Sequence, residues 1–170
     1  MAKMTSAYAS KVIRKLNEDK EFYRNKEREG YIYVASLDED PVIPDYHYAE
    51  VAGKIAEIDE QIVRIKHAIN YNNAVNPIDV GNGKMMTIDM ILIKMAQLSR
   101  RKEFLDIMRK TQPKVRLNSG AYNTKKTAPE YQYINFDPTL IQSEYDRIDR
   151  ELASMQLALD HYNQTFEFEV

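Results

Sequence analysis

The residues of this sequence best placed to do chemistry are cations and tyrosines. Arg100-Arg101-Lys102 opens a basic stretch that continues through Arg109, Lys110, Lys114, Arg116, Lys125 and Lys126, opposed only by Glu103 and Asp106. The run from Asp38 to Glu60 is the reverse: strongly acidic, with Lys54 its single base. Such polarity can steer an anion, a nucleotide or a nucleic acid to the basic end. It can equally set the register of a self-assembly, acidic end against basic end, or be no more than a solvated helix face. Twelve tyrosines stand against no tryptophan, and the pairs Tyr31/Tyr33 and Tyr131/Tyr133 repeat a Tyr-x-Tyr pattern. Tyrosine offers apolar area with one polar tip, suited to stacking on a ligand or to covering a small sheet. The candidate ligand-binding set is therefore Arg100, Arg101, Lys102, Lys114, Arg116, Tyr131 and Tyr133.

Other clusters point to less. Gly81-Asn82-Gly83-Lys84 could cradle a phosphate on backbone amides, but it lacks the GxxxxGK[ST] spacing and reads as a hairpin turn. Asn70, Asn72, Asn73 and Asn163 gather at two helix ends, where amides can grip a polar ligand or, by accepting left-handed backbone angles, stop the helix. His47, His67 and His161 have no paired spacing, no Glu-x-x-His occurs on a helix, and there is no cysteine. No catalytic residue, metal site or cofactor is expected, and the chain does not read as an enzyme.

The elements that must carry these residues are long helices. Tyr48, Val51, Ile55, Ile58, Ile62, Ile65 and Ile69 alternate at three and four residues, an a/d stripe on one face of a helix over 45–72, with Asp45 as its N-cap. Asp137-Pro138 opens a second such helix over 138–162, along which Ile141, Tyr145, Ile148, Leu152, Met155, Leu159 and Tyr162 repeat the pattern. A helix over 6–29, stopped by Gly30, carries Val12, Ile13, Leu16 and Tyr23. Another over 88–110, capped by Thr87, carries Ile91, Met95, Leu98, Leu105 and Met108. Alternating patterns predict short strands near 31–34, 78–86, 131–136 and 165–170. Asn118 to Ala128 reads as a mobile loop. Ile58-Asp59, Ile62, Ile65, Ala68-Ile69 and Asn73 recur 90 residues later as Ile148-Asp149, Leu152, Met155, Ala158-Leu159 and Asn163, the echo of two related helical hairpins.

Length and composition bound the rest. At 170 residues with 44% hydrophobic and 29% charged residues, residues 1–170 suit one folded domain. A formal charge of -2 gives no global drive toward nucleic acid or anionic membrane. Lys3, Lys11, Arg14 and Lys15 stud an N-terminus without a signal-peptide core, and no run approaches the ~18 apolar residues of a membrane span. A cytoplasmic location without membrane contact is expected.

The run Ile65-Lys66-His67-Ala68-Ile69-Asn70, then Thr87-Ile88-Asp89 and Gln97-Leu98-Ser99-Arg100-Arg101-Lys102, resembles a family of small uncharacterised bacterial proteins often labelled septicolysin-like. The resemblance continues through Gln112-Pro113-Lys114-Val115-Arg116, Glu130-Tyr131-Gln132-Tyr133 and Gln156-Leu157-Ala158-Leu159-Asp160, and so covers most of the chain. It implies a soluble helical oligomer, and it carries no catalytic residue over. The expected fold is mainly α: an antiparallel four-helix bundle of heptad-patterned helices with a small accessory β-sheet or hairpin. The expected function is a non-enzymatic, self-associating helical protein, a homo-oligomer that binds a macromolecular partner. Two alternatives stand beside it: a protein that binds or sequesters an anionic nucleotide at a basic, tyrosine-lined subunit junction, and a weak nucleic-acid binder.

Overall fold

The structure, a computed structural model, describes residues 3–38, 40–117 and 129–170. Its elements run β1 (Lys3–Thr5), α1 (Ser6–Gly30), α2 (Tyr48–Val75), β2 (Pro77–Asp79), β3 (Met85–Thr87), α3 (Ile88–Lys110), β4 (Lys114–Arg116), β5 (Tyr131–Tyr133), α4 (Pro138–Thr165) and β6 (Glu167–Glu169). The protein is mainly helical, with small antiparallel strand pairs. It divides into two compact units, residues 1–78 with 159–170 and residues 79–158, so α4 supplies residues to both.

In the first unit α1 packs along α2. Thr5 starts α1 because its extended backbone frees the hydroxyl to accept from the Tyr8 N–H at 3.2 Å. Gly30 ends it, and a Cβ there would lie 2.4 Å from the Cβ of Tyr46, so only glycine allows the approach. Val51, Ile58, Ile62 and Ile65 of the expected stripe on α2 are buried. Ala9, Ile65 and Phe168 form the core, with Val12, Ile13 and Leu16 of α1 packed on it. β1 and β6 close this core as an antiparallel pair in which Met4 faces Phe168. Below them the Tyr162 and Phe166 rings stack at 4.7 Å.

In the second unit Leu105 of α3 meets Ile141 and Ile148 of α4, with Leu98, Met108, Phe136, Tyr145 and Leu152 around them. Asp137 caps α4 as expected, its carboxylate accepting from the Thr139 N–H at 2.8 Å. Between β2 and β3 a tight turn is closed by Val80 N–H to Lys84 O at 2.9 Å and Lys84 N–H to Gly81 O at 3.2 Å. Gly81, Asn82 and Gly83 all take positive φ there (111°, 56° and 72°), which is why the turn needs those residue types.

Several expectations are corrected. α2 begins at Tyr48, not near Asp45: the Tyr46 N–H bonds to the Pro44 carbonyl at 2.9 Å, a turn that keeps Asp45 outside the helix, and His47 takes the N-cap position without a side-chain bond. Both long helices run three residues past their expected ends, to Val75 and Thr165. The asparagines do not stop them by left-handed geometry, since Asn82 is the only non-glycine with positive φ among the described residues. Instead Asn72 Nδ2 bonds back to Ala68 O at 2.8 Å and Asn76 Nδ2 to Asn72 O at 3.0 Å. The strand expected over 31–34 is not formed: residues 32–36 have no regular structure and are exposed, and a strand without a partner leaves its backbone groups unpaired. Thr87 holds the N-cap position of α3, yet its hydroxyl binds the Asp89 carboxylate rather than a first-turn amide. The loop expected over Asn118 to Ala128, with Lys125 and Lys126, lies outside the described residues.

Candidate functional site

Four of the seven residues expected to bind a ligand come together on one ribbon. β4 and β5 pair antiparallel, with Lys114 opposite Tyr133 and Arg116 opposite Tyr131. Lys114 Nζ lies 4.2 Å from the centre of the Tyr131 ring and 5.5 Å from that of Tyr133. Both tyrosines are exposed, so the ribbon presents a cation held on aromatic faces and open to solvent. The other three residues sit on α3. Arg100 and Arg101 are exposed. Lys102 is turned inward, paired with Asp149 of α4 and 5.2 Å from the Tyr145 ring, which also carries the Arg109 guanidinium at 4.1 Å. The charge of Lys102 is thus spent on Asp149, and hydrogen bonding to that carboxylate raises the ammonium's pKa.

A second basic site was not legible in the sequence. The turn at residues 80–84 and the middle of α4 enclose a cleft of about 430 Å³, lined by Lys84, Arg147, Arg150, Glu151 and Ser154 among others. Ser154 fastens the turn to the helix, its hydroxyl donating to Val80 O at 2.5 Å. A Cβ at Gly81 would come within 2.8 Å of that hydroxyl. Glu151 is the hub: Lys94 Nζ reaches it at 2.9 Å, Arg147 Nη1 at 3.1 Å and Lys84 Nζ at 3.9 Å. The hydrogen bond from Lys94 holds the Glu151 carboxyl below its ordinary range, against the opposing effect of burial. Glu151 in turn raises the Lys94 ammonium, while the crowding of Lys94 lowers that of Lys84. Lys84, Lys94, Arg147 and Arg150 outnumber Glu151 and the Glu144 that also binds Arg147 at 3.1 Å, which leaves local positive charge for an anion. Sequence reasoning weighed the Gly81–Lys84 turn but missed Arg147, Arg150 and Glu151. Their spacing on α4 is that of ordinary surface ion pairs, and only the folded turn singles them out.

Asn73 and Asn163 line one small cavity of about 350 Å³ with Ser6 and Ser10. Ser6 Oγ and Asn73 Oδ1 are buried without a hydrogen-bond partner. His47 lies 3.9 Å from Asp45 on an exposed stretch, and His67 and His161 are not near it in sequence. Among the described residues no group of three or more His, Cys, Asp or Glu side chains is placed to hold a metal ion.

Large apolar side chains stay in water in both units. The connection between α1 and α2 exposes Ile32, Val34, Leu37, Val42 and Ile43. α3 buries Ile88, Ile91 and Leu105 while exposing Met90 (52%), Ile93 (61%), Phe104 (54%) and Ile107 (62%). At 100° per residue the second group lies roughly opposite the first, so α3 is apolar on two faces.

Taken together these features define a mainly helical protein with small antiparallel strand pairs, a basic cleft and open apolar faces. No family model matches the chain, and no curated protein matches it. A solved structure, that of a functionally unknown conserved protein from Corynebacterium diphtheriae, is similar in fold at TM-score 0.59 and 14% identity. The match covers 99% of this chain and 100% of the other. No described helix is long and apolar enough to cross a membrane.

Proposed function

We propose that this chain is a self-associating helical protein that binds another macromolecule, not a catalyst. The observation that carries the reading is the second apolar face of α3. Monomeric proteins scatter exposed apolar residues singly, whereas a row of four large ones along one helix marks a contact surface. The exposed apolar connection between α1 and α2 supplies a separate surface for the partner. The same reading includes the packing of all four heptad-patterned helices as one antiparallel bundle, kinship with the septicolysin-like proteins, and a cytoplasmic location. Light scattering on size-exclusion fractions tests it: the mass should be two or more times 19.9 kDa at micromolar concentration. A strict monomer at high micromolar concentration overturns it.

A second reading is favoured by the excess of cations around Glu151. In it the cleft at the 80–84 turn binds an anionic group such as a nucleotide phosphate, and the Lys114–Tyr131–Tyr133 ribbon offers a stacking surface. A ligand present at 100 times its dissociation constant should stabilise the fold by about 2.7 kcal/mol. A thermal-shift panel of inorganic phosphate and nucleotides reads this directly, and no shift across the panel removes it.

A further inference from the structure

The exposed stripe of α3 reads the same in both directions. Met90, Ile93, Gln97, Arg100, Phe104 and Ile107 follow at spacings of three, four, three, four and three residues, which keeps them on one face. The pairs 90 with 107, 93 with 104 and 97 with 100 are all centred on one point, between Leu98 and Ser99. We propose that this face is the seam of a two-fold dimer in which α3 of a second copy lies antiparallel across it. Met90 then packs on the second copy's Ile107, Ile93 on its Phe104, and Gln97 on its Arg100. The proposal rests on the self-association reading and adds the surface, the occupant and the register.

A two-fold contact must be self-complementary, because the same patch serves both sides. Here Met90 meets an Ile107 of similar size and Ile93 a larger Phe104, giving two apolar layers on either side of a polar centre. Gln97 accepts from the guanidinium of the second copy's Arg100, and a single polar layer of that kind penalises slipped alignments. At both ends Asp89, on the flank of the stripe and bound by Thr87, comes within two residues of the second copy's Lys110, which is paired with Asp106 in its own chain, so the ends add an opposite-charge approach between groups that already have partners. Antiparallel pairing also sets the positive N-terminus of each helix dipole against the negative C-terminus of the other. Two like-charge approaches arise: the two copies of Arg100, about 4.5 Å apart along the seam at ~1.5 Å per residue and each held by a Gln97, and Arg101 toward the second copy's Lys94. That lysine is already neutralised in its own chain by Glu151 at 2.9 Å. Arg100 and Arg101, expected from sequence to meet an anionic ligand, serve here as the centre and border of the seam.

The chain lacks cysteine, so single cysteines report the register without background. Ile93→Cys and Phe104→Cys are made separately, at exposed positions, and the two proteins are mixed under mild oxidation. Antiparallel pairing brings residue 93 opposite residue 104, within disulfide reach. Two copies of residue 93 are then about 16 Å apart along the seam at ~1.5 Å per residue, beyond it. The expected result is a mixed disulfide and no disulfide in either protein alone. Disulfides within each single protein would mean parallel pairing and overturn the proposal. In parallel, Ile93→Glu with Phe104→Glu should weaken association by about a hundred-fold or more, with unchanged helical circular dichroism, because it buries carboxylates against apolar groups. A wild-type monomer removes both this dimer and the self-association reading. A wild-type multimer that gives no mixed disulfide and ignores the double substitution removes this seam alone.

Discussion

Thr5 ends a Lys-Met-Thr strand and starts α1, and Thr87 ends a Met-Met-Thr strand and starts α3. From these similar beginnings the two helices acquire different surfaces. α1 turns Val12, Ile13 and Leu16 to the core and, apart from Tyr8 and Phe22, covers its outer side with charge. Arg14 pairs with Glu18 at 3.8 Å, Lys15 with Asp19 at 3.0 Å and Arg28 with Glu21 at 2.8 Å. Exposed pairs like these contribute little stability, but they keep the face soluble. α3 has Met90, Ile93, Phe104 and Ile107 where α1 has ions. A helix covered on one side needs one stripe, and the second stripe of α3 is left facing solvent.

The contrast can be broken at the core first. Leu105→Ala removes a side chain that is 1% exposed and should cost about 2 to 5 kcal/mol in the second unit. Ile65→Ala should do the same in the first. Urea denaturation followed by circular dichroism measures both, and a cost below about 1 kcal/mol for Leu105→Ala would mean that the helix is held by its outer face instead. Next comes the 80–84 turn of the second unit. Gly81→Ala places a Cβ at φ 111° and 2.8 Å from Ser154 Oγ, and should destabilise by about 1 to 3 kcal/mol. Gly53→Ala, in the middle of α2 with nothing within 4 Å, is the control and should stabilise by roughly 0.5 to 1 kcal/mol.

The caps sharpen the comparison at smaller scale. Thr5→Ala loses a hydrogen bond to the Tyr8 amide and should cost about 1 kcal/mol. Thr87→Ala, where no such bond exists, should cost only a few tenths, and equal costs would refute the distinction. The finest test is acid. The Lys94 bond to Glu151, the Thr87 bond to Asp89 and the Lys110 bond to Asp106 hold these three carboxyls of the second unit below their ordinary range. Each therefore stabilises the fold at pH values above its unfolded pKa of about 4, and that contribution is lost as pH falls through the lower folded value. Glu151→Gln should flatten the acid limb of a stability-against-pH curve, and an unchanged limb would show that Glu151 carries no linkage.

Much of the helical framework is legible in residue spacing. The stripes of α2 and α4 were readable because three-and-four alternation survives whatever the partner is, and Asp137-Pro138 declared its cap by chemistry alone. The turn at Gly81-Asn82-Gly83 was equally plain, since positive φ restricts the residue types. The start of α2 was not, because the Pro44–Tyr46 turn that excludes Asp45 is a backbone event with no strict residue signature. The strand expected over 31–34 failed because alternation gives a strand two faces but cannot supply its hydrogen-bonding neighbour. β1 went unread because three residues are too few to show a period.

The candidate sites divide in the same way. Lys114, Arg116, Tyr131 and Tyr133 were found as types, and the pairing of β4 with β5 put them face to face. Lys102 had the right charge, yet packing aimed it at Asp149. The sequence by itself determined the helices, the tight turn and the Ile91–Leu98–Leu105 stripe of α3, because these depend on local periodicity and backbone preference. Only the tertiary structure decided that Met90, Ile93, Phe104 and Ile107 stay exposed on a second face of α3, that Lys84, Lys94 and Arg147 converge on Glu151 at the turn, and that β1 finds β6 from the far end of the chain. Those outcomes depend on contacts between residues distant in sequence, whose free energies no local spacing encodes.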